Sequence, residues 1–301
     1  MQTWFAHLSD PHLTTLEQVK PLQIVGKRLL GYISWRRKRR FEHRPEVLAS
    51  LQQHLRQQTS NVQLLVTGDL THIGLPDEFT QAANWLRQLG EPDAIAVIPG
   101  NHDACVALPW QRGLGQWQDY LNSDTPQQDT FPSLRVRGGI AFIGLSSACP
   151  KPPLMATGTV GARQLDKLAG LLQETREQGL FRVVYIHHPP KTGVVKWRKR
   201  LTDAPRLSAL LQREGAELVL HGHGHKAQQY SLPGATGDIP VIATSSASAM
   251  GLHGADIAQY NRYGVESTSS GWNLTAVTND YDPSADLFRA GAMHQWQLKR
   301  Q

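Results

Sequence analysis

The chain has 301 residues, 40% of them hydrophobic and 19% charged, with a net charge of +6 and two cysteines, Cys105 and Cys149. That length and composition allow a sizeable core and exclude a disordered chain, and two cysteines exclude a disulfide framework and point to free thiols. Met1 to Ala6 lacks a basic region leading into a long apolar one, and no run approaches ~18 apolar residues, so neither a leader nor a membrane span is expected and the predicted location is cytoplasmic.

In chain order, Thr3–Leu8 reads as a buried strand and is followed by Asp10-Pro11-His12. The charge is concentrated next: residues 27–44 carry eight basic side chains against Glu42 alone, a net +7 that leaves −1 for the rest of the chain. Ile24, Val25, Leu29, Tyr32, Ile33 and Trp35 interleave with those cations, which predicts an amphipathic helix whose apolar face admits Arg28 and leaves out Leu30. Helix Pro45–Gln57, strand Gln63–Thr67 with Gly68-Asp69, and helix Pro76–Leu89 come after it. Strand Ala94–Ile98 leads into Gly100-Asn101-His102-Asp103. Strand Ile140–Leu145, helix Gly161–Gln178 and strand Phe181–Ile186 follow, the last ending in His187-His188-Pro189-Pro190. A second basic stretch, Lys191 to Arg200, precedes helix Asp203–Arg213 and strand Glu217–Leu220, which ends in His221-Gly222-His223-Gly224-His225. Beyond Lys226 the pattern turns to strands alone, Ala227–Leu232, Val241–Ser245, Trp272–Val277 and Leu287–Gln297.

Alternating strands and helices predict an α/β fold. Five of the six strand candidates before Lys226 end in carboxylate, amide or imidazole groups, and in open α/β sheets the carboxyl ends of strands form the binding crevice. Each loop has another reading. Gly68-Asp69 suits a turn, Asn101 a left-handed backbone position, Asp10 a helix cap, His187-His188 a strand exit, and the 221–225 loop a polar surface. Five such loops at equivalent strand ends favour two divalent cations sharing a carboxylate. The absence of cysteine ligands argues against a structural zinc site.

Asp10-x-His12, Gly68-Asp69, Gly100-Asn101-His102-Asp103, His187 and Gly222-His223-x-His225, in this order, resemble the five-block signature of the calcineurin-like metallophosphoesterases. "IHHPP" and Gly161-x-x-Gln164-Leu165 resemble the bacterial subgroup of class III cyclic-nucleotide phosphodiesterases and glycerophosphodiesterases. The resemblance implies a four-layer αββα sandwich of the metallo-dependent phosphatase kind, spanning 1–301 as one domain. Residues 20–44 would be a basic rim insertion, and the β-rich part, 226–298, would help build the second sheet. It implies that Asp10, His12 and His225 hold one metal, that Asn101, His187 and His223 hold the other, and that Asp69 bridges them. A metal-bridging hydroxide would be the nucleophile. His102 would stabilise charge on phosphorus or protonate the leaving oxygen, and Asp103 would either orient His102 or hold the turn. His188 and His221 would support neighbouring ligands. Mn and Fe suit this ligand set, as does Zn.

The expected substrate is an anionic phosphodiester, drawn by two basic rim stretches. The basic amphipathic segment 24–40 also suits an anionic membrane surface at its cytoplasmic face, and with it a lipid-linked phosphodiester or pyrophosphate like that of the related UDP-diacylglucosamine pyrophosphatases. Nucleic acid ranks lower, as no stacking array or nucleic-acid module is present, and a nuclease-like or merely metal-binding protein ranks lower still.

Overall fold

In the computed structural model, which describes residues 2–58, 62–252 and 254–300, the sequence folds into two six-stranded sheets packed face to face. The first has β1 (Thr3–Leu8), β2 (Gln63–Val66) and β3 (Ile95–Val97) parallel at one side, and β10 (Gln259–Ser267), β11 (Gly271–Asp282) and β12 (Leu287–Lys299) antiparallel at the other. In the second, β5 (Ile140–Leu145), β6 (Phe181–Ile186), β7 (Leu218–His221) and β9 (Asp238–Ala243) run parallel. They are edged by antiparallel β4 (Ser133–Arg137) and β8 (Gln228–Pro233). The parallel strands β2, β3, β5, β6 and β7 are buried at every residue, which is why they read as unbroken apolar runs.

Helices cover the outer faces. From α3 (Pro45–Gln58) and α4 (Pro76–Leu89), the residues Val47, Leu51, Phe79 and Leu86 pack on Leu8, Leu64 and Val66 of the first sheet. On the second sheet, Leu168 and Leu172 of α5 (Ala162–Glu177) and Leu207 and Leu211 of α6 (Ala204–Glu214) pack on Ile143, Val184 and Ile186. The seam between the sheets holds Phe5, Phe142, Val183, Leu220 and Tyr263, with Phe5 edge-on to Phe142 at 5.1 Å and stacked on Tyr263 at 4.9 Å. The expected αββα layering is thus present.

The C-terminal strands help build the second sheet, as expected, but divide between the two. Only β8 and β9 join the second sheet; β10 pairs with β1, placing Tyr263 opposite Phe5, and carries β11 and β12 onto the first sheet. That register buries Tyr263 and Val265 in the seam, which is the physical reason for the division.

The basic segment after β1 also differs from a simple surface helix. Helix α1 (Lys27–Ser34) runs into a wide π turn over Trp35–Arg39 and then α2 (Arg40–Glu42), with the Arg40 N–H reaching back to Trp35 O. Arg28, rather than facing outward, donates from Nε and Nη2 to the carbonyls of Ile73 and Gly74 at 3.2 and 2.6 Å. Trp35, expected on the apolar surface, is instead buried with Leu16, Ile73, Leu75 and Cys105, and Tyr32 packs beside it. Among the described residues, no helix is long and apolar enough to cross a membrane.

Candidate metal centre

The polar loops converge where the carboxyl ends of both sheets meet. Asp10 and His12 follow β1, Asp69 follows β2, Asn101 to Asp103 follow β3, His187 follows β6, and His223 and His225 follow β7. Backbone bonds lock the loops together, Asp10 N–H to Gly68 O and His12 N–H to Asp69 O, both at 3.0 Å. At Gly68 a side chain would collide with the Gly100 backbone, and at Gly222 with Ser9 Oγ and Asp10 Oδ2, so glycine is what lets these loops close. Of the seven described non-glycine residues with positive φ, five are Asp10, His12, Asp69, His223 and His225, at +40° to +67°. Such backbone costs about 1–3 kcal/mol per residue and persists where the surroundings over-determine it, commonly at functional sites.

Two groups of donors face one another across Asp69. On one side His187 Nε2 lies 3.3 Å from Asp69 Oδ2, 3.2 Å from Asn101 Oδ1 and 3.2 Å from His223 Nδ1. On the other, His12 Nε2 lies 4.0 Å from the same Asp69 oxygen and 3.3 Å from His225 Nε2, which is 3.1 Å from Asp10 Oδ1. The outward ring nitrogens are pinned by carbonyls, since a carbonyl only accepts. His12 Nδ1–H donates to Thr71 O (3.0 Å), His187 Nδ1–H to Thr67 O (2.6 Å) and His223 Nε2–H to Lys199 O (2.9 Å). That arrangement turns His12 Nε2, His187 Nε2 and His223 Nδ1 inward, as metal-ligating histidines are held.

Donor atoms from His12, His43 and His225, from His12, Asp69 and His102, and from Asp69, His187 and His223 lie within 4.8 Å of one another in each group. Asp10 Oδ1 is buried and meets His225 Nε2 at 3.1 Å, with no well-aligned hydrogen bond among the described residues. Burial opposes ionisation of Asp10, but the His225 and His187 rings and the Ser9 hydroxyl hold its carboxyl well below the usual range. Burial likewise opposes a charge on His187, yet Asp69 and then Asp10 raise it to about 9, so the space between these groups favours positive charge. His12 and His223 are driven well below the ordinary imidazole value by burial and neighbouring cations or rings. Nitrogen and oxygen donors around a cation-seeking space fit divalent metal ions.

His102 donates its backbone N–H to Asp69 Oδ1 at 2.7 Å and its Nδ1–H to His72 O at 2.6 Å, which leaves Nε2 without a hydrogen-bond partner among the described residues. Among the described residues Asp103 makes no hydrogen bond to that ring. Its Oδ2 accepts from the N–H groups of Asp69 (2.7 Å) and Gly100 (2.9 Å), and its Oδ1 from the N–H and hydroxyl of Thr71 (2.9 and 3.0 Å), so it ties the Asp69 and Asn101 loops together. Burial and the Asp69 charge push the Asp103 carboxyl up to about 7. His188 and His221 sit off the centre, His188 between Ser147 and Ala156, and His221 between Tyr230 and Gly222.

Three further residues at the centre were not singled out from the sequence. His43, held through Nδ1 by Ser248 (2.9 Å), has its ring 4.4 Å from that of His12. Arg39 places Nη1 3.0 Å from His102 Nδ1. Lys199, beside His223, has its ammonium pKa lowered by burial and by Arg39, against the pull of Asp10 and Asp69. The signal for the first two is their four-residue spacing, one helical face, inside a run read only as bulk charge. A cavity of about 280 Å³ opens from His12 and His43 along Thr14, Thr15, Arg40 and Arg44.

A sequence profile of the calcineurin-like phosphoesterases matches residues 3–227. The chain is similar to a probable cyclic nucleotide phosphodiesterase of Synechococcus sp., 32% identical over 167 residues that make up 54% of this chain and 58% of that protein. It is also similar to a 3',5'-cyclic-nucleotide phosphodiesterase of Nostoc sp., 29% identical over 166 residues, 54% of this chain and 55% of the relative. The chain therefore spans little more than half the length of the curated relatives it matches. In three dimensions it resembles a dimetal phosphatase from Danio rerio over 99% of both chains, at 13% identity and a TM-score of 0.51, a likeness of fold alone.

Proposed function

The chain belongs to the calcineurin-like phosphoesterase family, and on that premise we propose that it is a dinuclear-metal phosphoric ester hydrolase acting on phosphodiesters. The observation that carries this reading is the Asp69 Oδ2 atom, which stands between His187 Nε2 on one side and His12 Nε2 on the other. In this proposal Asp10, His12 and His225 hold one ion, Asn101, His187 and His223 hold the other, and Asp69 joins them. Mn, Fe or Zn suits these donors. The ions, when bound, supply a deprotonated water near neutral pH and neutralise charge on the phosphoryl oxygens.

The protein's own work is orientation. Thr67, Thr71 and Lys199 carbonyls fix the imidazole tautomers, and the His102 N–H holds Asp69 in place. His102 Nε2, which makes no hydrogen bond among the described residues, would meet charge developing on the leaving oxygen or on phosphorus. A diester is favoured because the two curated relatives are named cyclic nucleotide phosphodiesterases. Hydrolysis of bis(p-nitrophenyl) phosphate against p-nitrophenyl phosphate, in protein stripped and refilled with Mn, Fe, Zn or Mg, tests this. Metal-dependent cleavage preferring the diester supports it, and folded, metal-loaded protein that cleaves neither ester refutes it.

A second reading, hydrolysis at the cytoplasmic face of an anionic membrane, is favoured by the outer side of residues 20–44, the rim insertion in this proposal. Leu22, Val25, Leu29, Leu30 and Ile33 are 90, 65, 44, 43 and 38% exposed, beside exposed Arg36, Arg37, Lys38 and Arg40. Apolar residues flanked by cations suit such a surface, at about 1 kcal/mol per basic residue. Co-sedimentation with anionic but not zwitterionic vesicles, lost on replacing Leu29, Leu30 and Ile33 by Ser, would support it. Equal recovery with and without vesicles would remove it.

A further inference from the structure

The run Arg36 to Arg40 does not treat its five cations alike. Arg36, Arg37, Lys38 and Arg40 point to solvent, whereas Arg39 is turned inward. The π turn explains the difference. Residues 35, 39 and 43 are four apart, and a turn wider than the α-helix keeps such residues closer to one face. Trp35 anchors that face in an apolar cluster and His43 reaches the ring of His12, so Arg39 between them must face the centre.

Its donors are unspent there. His102 Nδ1 is 2.6 Å from the His72 carbonyl and 3.0 Å from Arg39 Nη1. The carbonyl contact requires a proton on Nδ1, because two acceptors would repel, so the same nitrogen has no lone pair to offer Arg39. Among the described residues Arg39 makes no other side-chain hydrogen bond and no ion pair within 4.0 Å, and neither does the Lys199 ammonium. The two cations raise each other's electrostatic cost, and Arg39 bears a desolvation penalty as well. Asp10 and Asp69 offset this only until divalent ions take them up. Unpaired, partly desolvated guanidinium is poised for a planar oxyanion.

We propose that Arg39, together with Lys199, forms a cationic clamp for the non-bridging oxygens of the scissile phosphoryl group, so that the basic insertion supplies a substrate-binding residue to the active site. The proposal rests on the reading of the centre as a phosphodiesterase. Arg39 stands against His102, while Lys199, whose backbone carbonyl accepts from His223, carries an ammonium that feels Arg39 as well as Asp10 and Asp69. Their hold strengthens as the transition state gathers charge on the phosphoryl oxygens.

The test compares wild type with Arg39→Gln, Arg39→Lys and Lys199→Met, each refilled with Mn. The readouts are metal content, kcat/KM on bis(p-nitrophenyl) phosphate, and affinity for inorganic phosphate from its effect on Tm. The expected result is wild-type metal content, a fall in kcat/KM of about 10²–10³ for Arg39→Gln, phosphate binding weakened tenfold or more, and partial recovery in Arg39→Lys. Arg39→Gln with wild-type turnover and phosphate affinity overturns the proposal. If Arg39→Gln does not fold, Lys199→Met decides, since residue 199 is exposed as a whole although its ammonium end is partly desolvated; unaltered phosphate affinity there overturns the clamp. Wild type that binds phosphate through Arg39 yet cleaves no ester would refute the phosphodiesterase reading and leave the clamp standing.

Discussion

Asp69 Oδ2 and His187 Nε2 stand 3.3 Å apart although β2 and β6, which deliver them, belong to different sheets. Replacing Asp69 with Ala removes the one oxygen that faces both donor groups, and it should abolish turnover, by 10³-fold or more on the scale of lost charge stabilisation, while lowering bound metal. Replacing His102 with Ala should lower kcat by about 10²–10⁴, the range of general acid–base assistance, and leave most of the metal in place. Elemental analysis beside steady-state kinetics separates the two; loss of both metals from the His102 variant would make His102 a ligand.

Asp103 satisfies four donors on the Asp69 and Asn101 loops. Truncation to Ala leaves those donors buried without an acceptor, each costing about 1–3 kcal/mol. The expected signature is a lower Tm and weaker metal retention, with the pH profile of the remaining activity unchanged in shape. A profile with one limb displaced would instead tie Asp103 to proton transfer.

Arg182 and Glu217 form an ion pair at 2.9 Å with both side chains at most 2% exposed, at the far end of the second sheet from the metal centre. Arg182→Met takes the guanidinium away from the buried Glu217 carboxylate, which keeps the backbone N–H of residue 182, so it should cost about 3–5 kcal/mol in urea unfolding. The catalytic constants of the folded fraction should not change. A loss under 1 kcal/mol would mean that water reaches Glu217.

His7, wholly buried on β1, has its pKa lowered to about 3 by burial and by His221, against the pull of Asp10. The unfolded chain takes up a proton near pH 6.5 that the folded chain refuses until about pH 3. This group's contribution to stability is therefore full above pH 6.5 and is lost as pH falls through that window, at up to about 1.4 kcal/mol per pH unit. His7→Asn in chelator-treated protein should flatten the fall in unfolding free energy between pH 6.5 and 4. An unchanged slope would show that His7 is charged in the folded state.

The legible parts of the fold were those with burial on both faces. "IAFIGL" and "FRVVYI" announce β5 and β6 because every residue is covered. "SLRVR" and "QYNRYGVES" conceal β4 and β10, because half-buried edges and internal polar groups such as Asn261 break the apolar pattern. The candidate ligand loops stood out because carboxylates and imidazoles are unusual at the ends of buried strands. Arg39 and His43 did not, since in a run of like charges nothing in residue type reveals which turn widens and faces inward. The role of Asp103 depends on the spacing of two loops 32 to 34 residues apart in sequence, and no local pattern encodes that distance.

Asp10, Asp69 and Asn101 ride on one sheet, and His187, His223 and His225 on the other. The gap between the two sets is thus set by the packing of one sheet on the other, with Phe5, Phe142 and Tyr263 in the seam. If these groups hold the ions as proposed, affinity for metal becomes a gauge of how the sheets sit on each other. By linkage, the ions add most to stability in the one alignment that satisfies both sets, so drift in the seam would be felt as metal escaping before it was felt as unfolding.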